Sequence, residues 1–360
     1  MNITVVGGGN VGTQFAVHCA EKGHLVTIYT NHPEKFSKEL QIVNQDGVVV
    51  HQGTINRVTQ CAKEAFAEAE LIFVTVPSFC MKDVAAKILP YAQIGMKIGL
   101  IPGTGGGECA FRKCMEKGCT VFGLQRVPSV ARLVEYGKVV KAIGYRSLLH
   151  VAAMPKDKTK ECCMLMEEIF DIDCEMLDNY LNLTLTPSNP ILHTVRLYVI
   201  FKDYFSGRLY EQIPLFYEEW DDETSALIFS CDGEVQEICR RIDINQLKQV
   251  KSLKIHYESE TPEMLTQKIR SIQGFKGLKT PVDEVNGKYI PDLQSRYFTA
   301  DFSYGLSILL QIAKFVNCDA INMKKVMSWY CNIAIETDEF SYSEYDIYNL
   351  EQFKKFYELM

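Results

Sequence analysis

Asn2-Ile3-Thr4-Val5-Val6-Gly7-Gly8-Gly9-Asn10-Val11-Gly12 opens the chain, and its reading decides the fold. A short β-rich run passes directly into G-x-G-x-x-G at Gly7, Gly9 and Gly12, and Val11 to Lys22 continues as a helix. In a strand, turn and helix of this kind each glycine has a task. Gly7 permits the tight turn, Gly9 lets the backbone approach a pyrophosphate, and Gly12 allows the helix to pack closely on the strand. The helix N-terminus presents free N–H groups to the anion, so Gly8, Asn10 and Val11 complete the stretch expected to line the cofactor. The expectation is an α/β, Rossmann-type doubly wound parallel sheet.

Working outward, the first half alternates strands and helices. Leu25 to Tyr29, Leu71 to Val76, Lys97 to Ile101 and Thr120 to Leu124 read as further parallel strands. Helices are expected near Cys61 to Glu68, Lys82 to Leu89 and Gly107 to Lys117. Asp46-Gly47 marks a tight turn between Leu40 to Asn44 and Val48 to Thr54, a small hairpin inserted on the basic plan. Lys138 to Tyr145 and Leu148 to Met154 are expected to complete the sheet on its far side. Past Cys174 the pattern changes to helices at Leu192 to Tyr204, Glu234 to Ile242, Glu263 to Ile272, Phe302 to Phe315 and Met323 to Ile333, with no comparable β run among them. The expected division is a dinucleotide-binding domain over 1–180 and a mainly α-helical substrate and catalytic domain over 181–360.

The end of the second strand selects between the two nicotinamide dinucleotides, because a carboxylate there binds the adenosine ribose and repels a 2′-phosphate. Here the sequence is Tyr29-Thr30-Asn31-His32-Pro33-Glu34-Lys35. Thr30, Asn31 and Lys35 suit a phosphate, which favours NADP, while Glu34 keeps NAD open. Val76 and Pro77, and the loop from Pro102 to Gly107, lie beyond the carboxyl ends of strands and are expected to border the nicotinamide.

With 38 Lys and Arg against 45 Asp and Glu, the net charge of −7 removes the basic surface that nucleic acid requires. Without a charge-free stretch long enough to span a bilayer, and with an apolar strand starting two residues after Met1, the expectation is a cytoplasmic protein with no membrane partner. Thirteen cysteines form no paired two-residue spacing, so buried reduced thiols are expected and no metal site.

Chemistry must come from the second half. In Pro187-Ser188-Asn189-Pro190-Ile191-Leu192-His193-Thr194-Val195-Arg196, Asn189 and Pro190 read as an N-cap and first-turn pair. Asn189, His193 and Arg196 then share a helix face. A histidine in the first helical turn, at the positive end of the dipole where anions gather, suits proton transfer beside a carboxylate. The second segment is Arg296-Tyr297-Phe298-Thr299-Ala300-Asp301-Phe302-Ser303-Tyr304-Gly305-Leu306.

These segments carry a resemblance. The glycine fingerprint, Pro-x-x-x-Arg at Pro128 to Arg132 followed by Tyr136-Gly137, Asn-Pro-x-x-His at Asn189 to His193, and Arg-Tyr-x-x-x-Asp-x-x-Tyr-Gly-Leu at Arg296 to Leu306 occur in order. From Met1 to about Phe315 the chain resembles the octopine/nopaline (opine) dehydrogenases. It departs from them at Ala300, where an acidic residue is common, at Ser303, where proline is usual, and at Gln125-Arg126-Val127.

The resemblance implies an NAD(P)H-dependent oxidoreductase acting on a CH–NH bond. An amino acid's amine and a 2-oxo acid would form an imine that hydride reduces. His193 would be the acid and base, with Asp301 orienting it. Arg296 and Arg132, then Arg196, are the candidates to bind substrate carboxylates, and Asn189 a substrate oxygen. The site is expected in the cleft between the domains, and a homodimer is the assembly entertained. Two other readings stay open. One is a 2-oxo acid or hydroxyacid reductase of the ketopantoate or glycerol-phosphate type, for which Lys202 is the only lysine between Lys160 and Lys248. The other is a non-enzymatic NADP-sensing regulator. The acidic and aromatic stretch from Glu211 to Asp222 reads equally as a lid, a dimer surface or a partly buried loop, and Asp338 to Met360 as a terminal helix after a short turn.

Overall fold

The structure is a computed structural model that describes residues 1–244, 247–334 and 338–359. It divides into two compact units, Met1–Thr184 with Lys355–Met360, and Leu185–Lys354. In the first unit the elements run β1 (Asn2–Val6), α1 (Asn10–Glu21), β2 (Leu25–Tyr29), β3 (Glu39–Val43), β4 (Val49–Thr54), β5 (Arg57–Thr59), α2 (Ala62–Phe66), β6 (Leu71–Val74), α3 (Met81–Ile88), β7 (Lys97–Leu100), α4 (Gly107–Ala110), α5 (Arg112–Glu116), β8 (Thr120–Leu124), β9 (Val130–Glu135), β10 (Val139–Ile143), β11 (Leu148–Met154), α6 (Thr159–Phe170), β12 (Asp173–Met176) and α7 (Leu181–Thr184).

Eight strands form the main sheet in the order β12-β11-β8-β7-β6-β1-β2-β5. Every neighbouring pair is parallel except β8 with β11. Buried residues such as Val5, Ile28, Phe73, Ile98 and Phe122 show why these runs are apolar throughout, since helices cover a parallel sheet on both faces.

The hairpin at Asp46-Gly47 is half of a second, four-stranded sheet ordered β4-β3-β10-β9. This corrects the placement of Lys138 to Tyr145. Its strand β10 pairs in parallel with β3 and antiparallel with β9, and only β11 joins the main sheet. The burial patterns give the reason. β10 alternates buried and half-exposed residues, as a one-faced strand does, whereas the C-terminal half of β11 is buried on both faces.

The second unit comprises α8 (Asn189–Phe201), α9 (Asp222–Ile242), α10 (Leu253–Tyr257), α11 (Pro262–Ser271), β13 (Val282–Val285), β14 (Lys288–Pro291), α12 (Arg296–Thr299), a π-helical turn (Phe302–Leu306), α13 (Ser307–Phe315), α14 (Ile321–Ile333) and α15 (Leu350–Leu359), whose residues from Lys355 group with the first unit. The α9 helix begins twelve residues before its expected start. Asp221 accepts the Thr224 N–H at 2.7 Å, Asp222 and Glu223 occupy the first turn, and Arg240 and Arg241 the last, each favourable to the dipole. A two-stranded hairpin that sequence reading missed turns at Asn286 and Gly287, with φ of 54° and 75°. Asn-Gly is the dipeptide such a turn favours. No helix among the described residues is long and apolar enough to cross a membrane.

Candidate functional site

In the first unit the glycine-rich turn lies at the carboxyl end of β1. Gly7 has a φ of +103°, which favours glycine. A Cβ on Gly12 would lie 1.8 Å from the Gly7 carbonyl oxygen, so this position admits no side chain. On Gly9 an added Cβ would meet nothing within 4 Å. The turn is therefore closed where helix meets strand and open where Gly9 faces outward, the shape a pyrophosphate needs. No acidic residue occupies the first turn of α1 to oppose an anion.

Asn10 is the first residue of α1, and its side chain accepts the Leu133 N–H at 2.7 Å, tying the turn to β9. Val11 packs partly into the core, and the Phe36 ring covers Gly8. Thr75, which sequence reading did not single out, braces the turn by donating to the Val6 carbonyl at 2.9 Å. Val76 abuts Gly7, while Pro77 is exposed at the start of a 3-10 turn. At the end of β2, Thr30 is buried and Asn31 and Lys35 are exposed. Lys35 Nζ lies 6.0 Å from the Tyr136 ring centre, and the Glu34 carboxylate lies 3.5 Å from His32.

In the second unit α8 begins one residue earlier than expected. Ser188 is the cap residue, and Asn189 and Pro190 are the first two helical residues. Asn189 is therefore not the N-cap, and its side chain is exposed. His193 falls in the second turn, not the first, and is 4% exposed. Its Nδ1 lies 2.7 Å from Asp301 Oδ2 and its Nε2 lies 2.7 Å from the Tyr217 hydroxyl. A carboxylate only accepts, so Nδ1 carries the proton, and in neutral imidazole Nε2 then accepts from the Tyr217 O–H. Tyr297 and Phe216 wall the ring, at centroid distances of 4.3 and 5.5 Å.

Two packing devices hold this arrangement. Asp301 immediately precedes the π-helical turn, where the Leu306 N–H bonds to the Asp301 carbonyl at 2.8 Å. A Cβ on Gly305 would come within 2.8 Å of Pro190, so glycine lets this turn press against the start of α8. Arg196, expected to be a third substrate-binding arginine, is instead a buried anchor. It bonds to Asp221, to Thr224 Oγ1 and to the carbonyls of Phe216 and Glu219, and lies 5.3 Å from the Trp220 ring centre. Its guanidinium holds the loop that delivers Tyr217 to His193. Burial lowers its pKa; Asp221, though burial opposes it, is held below the ordinary carboxylate range by Thr224 and Arg196. Phe216, Tyr217 and Trp220 are thus buried parts of the site, and no local sequence pattern links them to His193.

Arg296 opens α12, is exposed, and lies 5.9 Å from the centre of the Tyr297 ring whose other contacts include His193. Arg132 lies on β9 in the first unit, exposed, with its guanidinium donating to the Ala131 carbonyl. Cys109, Cys114 and Cys119 are buried free thiols whose pKa values burial raises.

Residues 176–334 match the family model of the NAD/NADP octopine/nopaline dehydrogenase alpha-helical domain, and residues 2–102 that of the NAD-dependent glycerol-3-phosphate dehydrogenase N-terminus. The chain is similar to the tauropine dehydrogenase of Arabella iricolor, with 23% identity across 91% of this chain and 90% of that protein. It is similar at 23% identity to the octopine dehydrogenase of Mizuhopecten yessoensis, across 91% and 89%. Among solved structures, octopine dehydrogenase with NADH and L-arginine superposes with a TM-score of 0.79 at 22% identity, covering 92% of this chain and 88% of that one. An N-terminal Rossmann-like parallel sheet followed by a helical domain that matches the octopine/nopaline dehydrogenase model is the architecture this chain shares with those NAD(P)-dependent enzymes.

Proposed function

We propose that the protein is an opine-type dehydrogenase that reductively condenses the amine of an amino acid with a 2-oxo acid, with His193 as acid and base. The observation that carries this reading is the buried His193–Asp301 pair, 2.7 Å apart, within the helical domain that matches the octopine/nopaline dehydrogenase model. The amine nitrogen must lose a proton before it attacks the carbonyl carbon, and the carbonyl oxygen must gain protons to leave as water. His193 Nε2 is the proton acceptor and donor, and the Asp301 carboxylate holds the ring in the tautomer that frees Nε2 and stabilises the imidazolium. Because the Tyr217 hydroxyl rests on Nε2, it is the group through which protons pass to and from substrate. The Gly7–Gly12 turn would hold NAD(P)H, which would supply the hydride. The exposed Arg296 guanidinium is the first candidate for a substrate carboxylate, with Arg132 second and the exposed Asn189 amide for a substrate oxygen.

For the dinucleotide we infer a preference for NADP(H). Asn31 and Lys35 are exposed where a 2′-phosphate would sit, and the Glu34 carboxylate lies 3.5 Å from His32. The test follows nicotinamide absorbance with each dinucleotide and pyruvate or another 2-oxo acid, with and without amino acids. Oxidation that requires both an oxo acid and an amine is the expected result. Oxidation with the oxo acid alone makes the protein a keto-acid reductase, and tight binding without oxidation makes it a dinucleotide sensor.

A further inference from the structure

Sequence spacing suggests no metal site, yet the first unit gathers two histidines and a carboxylate. His18 and Glu21 lie one turn apart on α1, and His51 comes from β4. One ligand atom from each lies within 4.8 Å of the others. His51 Nδ1 is 2.8 Å from Glu21 Oε2, and the two imidazole rings are 4.6 Å apart. The Tyr145 hydroxyl, 2.9 Å from His18 Nε2, closes a further side. Close packing creates the group, because a Cβ on Gly53 would meet the Ala20 Cβ at 2.7 Å and the Val17 carbonyl at 2.9 Å. Only glycine lets β4 lie this near to α1 and bring His51 over His18.

We propose that His18, His51 and Glu21 form a binding site for a divalent first-row transition ion with the chemistry of Zn²⁺. Two imidazoles and one carboxylate are an N,N,O donor set suited to that ion, which takes such ligands at about 2.0–2.2 Å in tetrahedral geometry. Water or the Tyr145 hydroxyl would fill the fourth position. His18 is 3% exposed, so the imidazole it offers is shielded from solvent. The eight-residue separation from Asn10 places His18 about 12 Å along α1 from the glycine turn. The ion's role is accordingly structural, clamping β4 to the helix whose other end forms the dinucleotide turn.

The test uses the full chain, freed of metal by a chelator that is then removed, and titrated with Co²⁺ as a spectroscopic stand-in for Zn²⁺. The expected result is visible d–d absorption saturating at one ion per chain, without thiolate-to-cobalt charge transfer, lost when Zn²⁺ is added. His51→Gln and Glu21→Gln, both at partly exposed side chains, should fold and weaken Co²⁺ binding by about tenfold or more. Zn²⁺ should raise the melting temperature of the parent chain and not that of His51→Gln. No saturable binding, thiolate charge transfer, or unchanged affinity in both variants would overturn the proposal, and the last two would assign the ion elsewhere.

Discussion

A histidine with both ring nitrogens engaged has a defined tautomer, and at His193 the definition comes from unlike partners, a carboxylate on one side and a phenol on the other. Replacing the imidazole removes the proton acceptor and donor of the proposed reaction. His193→Asn should therefore lower kcat by about 10²–10⁴-fold. Dinucleotide affinity, measured by fluorescence titration, should stay within about twofold, since the glycine turn belongs to the other unit; parallel loss of both would refute the assignment. Tyr217→Phe keeps the rings stacked on Phe275 and Trp220, at 4.1 and 5.8 Å, and deletes only the hydroxyl. If protons pass through that hydroxyl, kcat falls at least about tenfold and the kcat–pH profile moves, with an unchanged melting temperature. A purely structural tyrosine would alter the melting temperature and leave the profile in place. It was the resemblance to the opine dehydrogenases, carried by two short motifs, that singled out His193 and Asp301, and their side chains lie 2.7 Å apart. Tyr217 was not legible in the sequence, because it reaches His193 only through a loop that Arg196 ties down, and that tie is tertiary.

At the scale of elements, the pair depends on how closely the π-helical turn approaches α8. Gly305→Ala drives a methyl to within 2.8 Å of Pro190, and overpacking of this kind costs about 1–3 kcal/mol. The same shift moves Asp301 from His193, so melting temperature and kcat should fall together; a lower melting temperature with full kcat would detach the turn from the chemistry. A second element carries a strained charge. Asp232 in α9 is buried, which pushes its pKa up to about 6 although the Leu253 N–H, 2.8 Å away, opposes the rise. A carboxyl whose folded pKa exceeds its unfolded value favours the fold while protonated. Its contribution declines as pH climbs from about 4 to 6 and is constant above that, a difference of about 3 kcal/mol. Asp232→Asn, which still accepts from Leu253, should be more stable than the parent in urea melts at pH 7 and equal to it at pH 4. A variant weaker at pH 7 would mean that the negative charge supports the start of α10. Elements were legible where a local signal was strong. The Asn286-Gly287 turn carried such a signal and still escaped notice among helices, whereas the sheet that β10 joins depends on a partner nearly a hundred residues away, which no window of sequence contains.

For the molecule as a whole, the dinucleotide turn lies entirely within the first unit, and His193, Asp301 and Tyr217 within the second. Both tryptophans, Trp220 and Trp329, are buried in the second unit, so tryptophan fluorescence reports that unit and far-ultraviolet circular dichroism reports both. Two glycines of one motif separate folding from binding. At Gly9 a methyl meets no neighbour, and a glycine-to-alanine change at a helix N-cap costs about 1 kcal/mol or less. At Gly12 a methyl would collide with the Gly7 carbonyl. Gly9→Ala should therefore fold almost normally yet bind NADPH at least about tenfold more weakly, because its methyl occupies the place of the pyrophosphate. Gly12→Ala should instead destabilise the first unit by about 3 kcal/mol. Its circular dichroism should begin to fall at a lower temperature while the fluorescence midpoint moves less. Coincident midpoints for the two probes would mean that the units unfold as one, and Gly9→Ala with full NADPH affinity would remove the pyrophosphate from that turn.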